Sequence, residues 1–91
     1  MKKRNYNDKD YSEFRKSVLK RDKYKCQMPS CNSRKKLNVH HIKPWSKAAS
    51  LRYDPLNGIT LCKECHESIT GKENHYEVVF TEIIHNATKR T

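Results

Sequence analysis

The chain is poor in apolar side chains. Hydrophobic residues make up 34% of its 91 positions, and counting the two glycines raises the share only to about 36%. An average globular chain reaches roughly 45–50% on that count. No long hydrophobic run compensates: the longest apolar stretch is a few residues, whereas a membrane-spanning helix needs about 20. The start, Met1-Lys2-Lys3-Arg4-Asn5-Tyr6, is basic, but no apolar segment follows it. A secretory signal is therefore not expected, and a cytoplasmic address without membrane contact is. There is also no internal repeat and no low-complexity segment.

Acidic residues are scarce relative to basic ones, 10 against 20, leaving a formal charge of +10. On so small a chain that surplus is the electrostatic footprint of a protein that meets a polyanion. The length allows a single domain over residues 1–91, with flexible basic ends at 1–9 and 88–91. A domain of this size buries only about 60–65% of its extended-chain surface, so burial alone leaves it marginal. High charge and low hydrophobicity are also what disorder looks like. Something else has to hold the fold together.

Four cysteines are placed to do so. Cys26 and Cys31 have four residues between them, Cys62 and Cys65 have two, and the pairs are 30 residues apart. In a reducing compartment such pairs bind metal more often than they form disulfides. Zinc takes four soft ligands in a tetrahedron, and each short knuckle offers two thiolates. Closing one knuckle on the other would staple the two halves of the chain, so a structural Zn²⁺ held by Cys26, Cys31, Cys62 and Cys65 is expected. Four thiolates and one Zn²⁺ lower the net charge to about +8, so the domain stays basic. Cys62-Lys63-Glu64-Cys65-His66 also fits a covalent haem-attachment pattern. That reading requires export and leaves Cys26 and Cys31 idle, so it is set aside.

From Asp10 to about Asp22, Tyr11, Phe14, Val18 and Leu19 fall on one helical face, with Asp10 and Glu13 resembling a capping box. Arg15, Lys16, Lys20 and Lys23 decorate the other side. A turn-rich knuckle follows over 24–36. Leu37 to Ile42 alternates as a short strand, 43–57 reads as a loop with Pro44 and Pro55, and Gly58 to Leu61 is a second strand. A helix should begin near Cys62 and stop at Gly71, and a closing helix should run from Glu73 to about Thr88 with Tyr76, Val79, Phe80, Ile83 and Ile84 on its buried face.

The polar residues that stand out in this frame are His40, His41, Asn57 and His66. Adjacent residues on a strand point to opposite faces, so one histidine can ligate a metal while the other reaches a water. His66 lies about 100° around its helix from Cys65, free to serve a second site. Singly, each has an ordinary explanation: surface histidines, and a turn asparagine before Gly58.

Together they resemble a known family. Val39-His40-His41-Ile42, then Asn57 five residues before Cys62, then Cys62-x-x-Cys65-His66, is similar to the His-Asn-His (HNH) endonucleases. The stretch from Phe14 to Asp22 running into Tyr24-Lys25-Cys26, with Asn57 to Cys62 and Gly71-Lys72-Glu73, resembles small phage and intron-associated members. The similarity spans roughly residues 11–76. Two features depart from it: the first cysteine pair is spaced by four residues where two is commoner, and Leu56 stands where many relatives carry aspartate.

The resemblance implies an α+β fold, a ββα-metal core with flanking helices pinned by the four-cysteine zinc. It implies a metal-dependent DNA endonuclease that hydrolyses phosphodiesters to 5′-phosphate and 3′-hydroxyl ends. His41 would be the general base, a role that suits a ring titrating near neutrality. His40 and His66 would hold the catalytic divalent ion, Mg or Mn in use, with Zn or Ni also suited to imidazoles. Asn57 would brace the loop that carries the base. Arg15, Lys16, Lys20 and Lys43 are candidates for phosphate contacts. Double-stranded DNA is the expected partner of a monomer or weak dimer in a bacterial cytoplasm, encoded by a phage or prophage, with a phage packaging complex or another protein as a further partner. A zinc-stapled nucleic-acid-binding module without catalysis explains the cysteines and charge equally well, but not the four site residues. His75 and His85 fall outside the motif and read as surface residues. Trp45 reads as a lid packed on the hairpin.

Overall fold

A computed structural model describes residues 9–43 and 51–88. Pro44, Trp45 and the basic ends with Lys2, Lys3, Arg4, Lys89 and Arg90 lie outside the described residues, so the expectations placed on them do too.

Helix α1 runs Lys9–Arg21 and buries Tyr11, Phe14, Val18 and Leu19, the stripe read from the 3.6-residue period. The capping expectation needs correction. Asp10 lies inside the first turn, where its charge complements the helix dipole rather than capping it. At the other end the chain reverses through a Schellman closure. Tyr24 N–H donates to Leu19 O at 2.9 Å and Lys23 N–H to Lys20 O at 3.0 Å. Lys23 takes the left-handed position with φ 56°, where glycine is the usual occupant.

The knuckle after α1 is built of tight turns, with Ser30 and Asn32 at positive φ and Cys26 N–H donating to Ser33 O at 2.7 Å. Strand β1, Leu37–His41, then pairs antiparallel with β2, Gly58–Cys62, in a register that sets Leu37 opposite Cys62 and His41 opposite Gly58. Gln27 N–H donates to Thr60 O at 2.9 Å, tying the knuckle to β2. The connection between the strands is more ordered at its end than a plain loop. Pro55–Asn57 forms one 3-10 turn, capped by Asp54, whose Oδ1 accepts from Leu56 N–H at 3.0 Å. Leu56 itself is exposed.

Helix α2, Lys63–Ser68, ends earlier than Gly71 and unwinds through a turn. Gly71 (φ 85°) does hold the left-handed position, and its N–H donates to Glu73 Oε1 at 2.9 Å as α3, Glu73–Thr88, begins. No helix among the described residues is long and apolar enough to cross a membrane.

The hairpin is a two-sided wall. Val39 and the α1 stripe form one apolar cluster. Ile42, Ile59 and Leu61 join Phe80 and Ile84 of α3, with Ile69 and the cysteines, in the other. Period-two alternation in β1 therefore sends His41 toward α1 and His40 toward α3. Gly58 is what lets α1 come close. A Cβ there would sit 2.7 Å from Phe14 Cζ and 2.8 Å from Val18 Cγ2.

Candidate active site

Four sulfurs gather where the knuckle meets the end of β2 and the start of α2. Those of Cys26, Cys31, Cys62 and Cys65 all lie within 4.8 Å of one another, and Cys31 Sγ is 3.8 Å from Cys62 Sγ. A zinc tetrahedron with bonds of about 2.3 Å requires sulfur separations near 3.8 Å, so the donor set fits the ion in type, number and size. The thiols are also differentiated. The backbone amide of Cys65 draws the Cys62 thiol down, while burial pushes Cys26 and Cys65 up. Loading metal must therefore expel protons from Cys26 and Cys65, and zinc affinity will fall in acid.

His40 and His66 meet on the α3 side of the hairpin. Their ring centres are 5.3 Å apart at 63°, close to the roughly 5 Å that two imidazoles reach when each puts a nitrogen about 2.1 Å from one ion. Phe80, fully buried, stands edge-on to His40 at 5.7 Å. Burial, and then the like charge of His66, push the His40 imidazole down to about 4. At neutral pH it is a free base, the form that ligates metal. Because His66 follows Cys65 on α2, one short helix contributes a member to the cysteine cluster and to the histidine pair.

His41 is buried on the opposite face. Its ring stacks on Phe14 with centres 4.9 Å apart and planes 17° from parallel. Its Nε2 lies 2.8 Å from Arg52 O. A carbonyl oxygen only accepts, so Nε2 carries the proton and the lone pair of the neutral ring resides on Nδ1. One contact thus fixes tautomer and orientation together.

Asn57 is buried beside the last pair of the hairpin. Its Oδ1 accepts from Lys43 N–H at 2.8 Å, and its Nδ2 donates to the carbonyls of Lys43 and Leu51 at 3.3 Å each. The amide therefore bridges the two ends of the connection that leads to Arg52. A branched apolar or charged side chain could not donate and accept at once there.

Of the candidate phosphate ligands, Arg15 is half-buried, while Lys16 and Lys20 are exposed on the flank of α1 turned away from Phe14. Lys43 Nζ is held by Glu77 of α3 at 2.9 Å. His75 and His85 are exposed on α3. Sequence reasoning did not anticipate three contributions. Phe14 read only as core, yet it is the surface on which His41 stacks. The Arg52 carbonyl has no side-chain signature. Arg21 and Asp22 lay inside the stretch that carried the resemblance, but no role was assigned to them.

The arrangement is a β-hairpin and helix presenting histidines at its end, pinned by a cysteine cluster: the frame of a ββα-metal nuclease. An HNH endonuclease family model matches residues 26–72. The crystal structure of the HNH endonuclease of deep-sea thermophilic bacteriophage GVE2, with manganese ion, is similar to this chain at 30% identity. Its TM-score is 0.67, over 77% of this chain and 78% of that one. No curated protein matches. The chain belongs to the HNH endonuclease family, and its fold is the α+β architecture of that family.

Proposed function

We propose that this chain is a divalent-metal-dependent DNA endonuclease that hydrolyses phosphodiester bonds to 5′-phosphate and 3′-hydroxyl ends. The observation that carries the reading is the division of labour between adjacent histidines: His41 with its tautomer fixed by Arg52 O, and His40 as a neutral partner of His66. His41 Nδ1 accepts a proton from the attacking water, and Arg52 O stabilises the imidazolium that results. Asn57 keeps the Arg52 segment in place while this happens. His40 and His66 would hold a divalent ion, which would supply Lewis-acid charge to the phosphodiester. Manganese in the GVE2 relative's structure supports Mg or Mn in that role. The four cysteines would hold zinc and so stabilise the fold.

The basic charge and the family favour double-stranded DNA as substrate. A phage packaging complex or another protein is the further partner proposed for it. A bacterial cytoplasm and a monomer or weak dimer complete it. Plasmid nicking by zinc-loaded protein with added Mg²⁺ or Mn²⁺ tests the function. Relaxed or linear product whose ends are ligatable is expected. Intact DNA binding with no cleavage under either metal would leave a zinc-stapled binding module instead.

A further inference from the structure

The last residue of α1 and the one after it make contacts that neither zinc binding nor proton transfer requires. Asp22 is 4% exposed. Its carboxylate accepts a fork from Arg21, Nε at 2.9 Å to one oxygen and Nη2 at 3.0 Å to the other. It also accepts the backbone N–H of Thr60 at 2.9 Å. With its plane set by this pair, the Arg21 guanidinium donates Nη1 to Pro55 O and Nη2 to Gly58 O, each at 2.7 Å. Those carbonyls lie two residues before and one residue after Asn57. A surface ion pair would contribute little. Here the charge is shielded from water, the acceptors are backbone groups, and a planar fork with several rigid donors is the only side chain that reaches all of them.

We infer that Arg21 and Asp22 form a positioning clamp for Asn57, through which α1 sets the segment whose Arg52 carbonyl holds His41. The clamp fixes the backbone on both sides of the asparagine, at Pro55 and Gly58, so the amide can satisfy Lys43 and Leu51 without choosing among turn conformations. Arg21 lies seven residues beyond Phe14 and so on the same stripe of α1. One rigid helix thus gauges the His41 ring at one point and the Asn57 turn at another. Neither residue touches substrate; both act through Asn57. For catalysis the inference rests on the nuclease reading above, but the geometry itself does not.

Arg21→Lys keeps the charge and removes the fork. In zinc-loaded protein we expect a 10–100-fold fall in kcat with KM for DNA unchanged, the range in which supporting residues of a site act. The decisive measurement is a double-mutant cycle with Asn57→Ala. Adding Arg21→Lys to Asn57→Ala should lower kcat less than about threefold further, because the clamp has nothing left to position. Multiplicative losses, or a change in KM alone, would overturn the inference. A second readout needs no cleavage. By NMR, the Asn57 side-chain amide protons should lose their protection from exchange in Arg21→Lys. Unchanged protection would overturn the clamp even if wild type cleaves DNA. Loss of protection in a chain that never cleaves would uphold the clamp while the nuclease reading fails. If Arg21→Lys does not fold, Asp22→Asn, which keeps an acceptor for Thr60 N–H, serves in both arms with the same expected outcomes.

Discussion

Gly58→Ala is the smallest substitution that tests whether α1 and the hairpin hold the site at a set distance. The backbone at Gly58 is extended, φ −123° and ψ 147°, so alanine fits without conformational strain and would by itself stabilise the chain by about 0.4–1 kcal/mol through the unfolded state. The new methyl meets Phe14 Cζ at 2.7 Å and Val18 Cγ2 at 2.8 Å. Ordinary carbon contacts are about 3.5–4.0 Å, so the ring and the helix must retreat by roughly an ångström. Both obstacles are buried, Phe14 at 2% exposure and Val18 at 0%. Overpacking of that kind costs about 1–3 kcal/mol, and the net loss should be about 1–2 kcal/mol. For a domain this size that is about 4–8 °C of melting temperature per kcal/mol. Phe14 is also the stacking surface of His41, so kcat should fall further than stability alone explains, since a 1 Å misplacement can cost about 10²-fold. Urea unfolding of the zinc-loaded protein measures the first effect and single-turnover cleavage the second. Combining Gly58→Ala with Phe14→Leu should return part of the stability, because the clash is with the ring. A Gly58→Ala protein as stable as wild type, with no coupling to position 14, would refute the close-approach argument.

His41→Ala should reduce cleavage by roughly 10²–10⁴ with DNA affinity unchanged and no rescue by Mn²⁺, because the lost group acts on a proton in the transition state. His40→Ala should regain a fraction of activity in excess Mn²⁺; if the two variants exchange behaviour, the roles are reversed. Cys31→Ser should unfold the domain by circular dichroism while His66→Ala leaves it folded, and equal unfolding would place His66 among the structural ligands. If α1 touches DNA through its outer flank, replacing Lys16 and Lys20 should flatten the plot of log affinity against log salt by about 0.9 per lost contact; an unchanged slope would confine the interface to the hairpin side. His40 titrates at about 4 in the folded chain, below the roughly 6.5 of an unperturbed imidazole. The unfolded chain therefore gains its proton first, and stability present above pH 6.5 is lost as pH falls toward 4, by at most about 3 kcal/mol. Without added Mg²⁺ or Mn²⁺, the urea midpoint should fall between pH 7 and 5 in wild type and less in His40→Gln; equal falls would assign the effect to other groups.

The elements that were legible in the sequence are those whose signal is periodic or paired. The α1 stripe, the alternation of β1, the span of α3 and the two cysteine pairs each repeat a physical requirement several times over, so no single residue has to carry the inference. Boundaries were harder, because they depend on one or two hydrogen bonds: α2 stops three residues before Gly71 and the 3-10 turn at Pro55–Asn57 is held by Asp54. The site followed the same division. His40, His41, Asn57 and His66 were visible because their residue types suit the proposed chemistry and their spacing resembles that of a family. What holds them was not. Arg52 contributes a backbone carbonyl, which every residue has. Phe14 contributes a ring face, which the helical period had already assigned to the core. Arg21 and Asp22 are adjacent charges at the end of a basic helix, indistinguishable by composition from the solvated residues beside them until the fold brings Pro55 O, Gly58 O and Thr60 N–H within reach. Local chemistry is written in residue types; the geometry that positions it depends on long-range hydrogen bonds, 34 to 38 residues apart along the chain for Arg21 and Asp22. A charged pair that ends a helix, in a domain with too small a core to hold a turn by packing alone, is therefore a place to look for positioning residues in other small nucleases built on a hairpin.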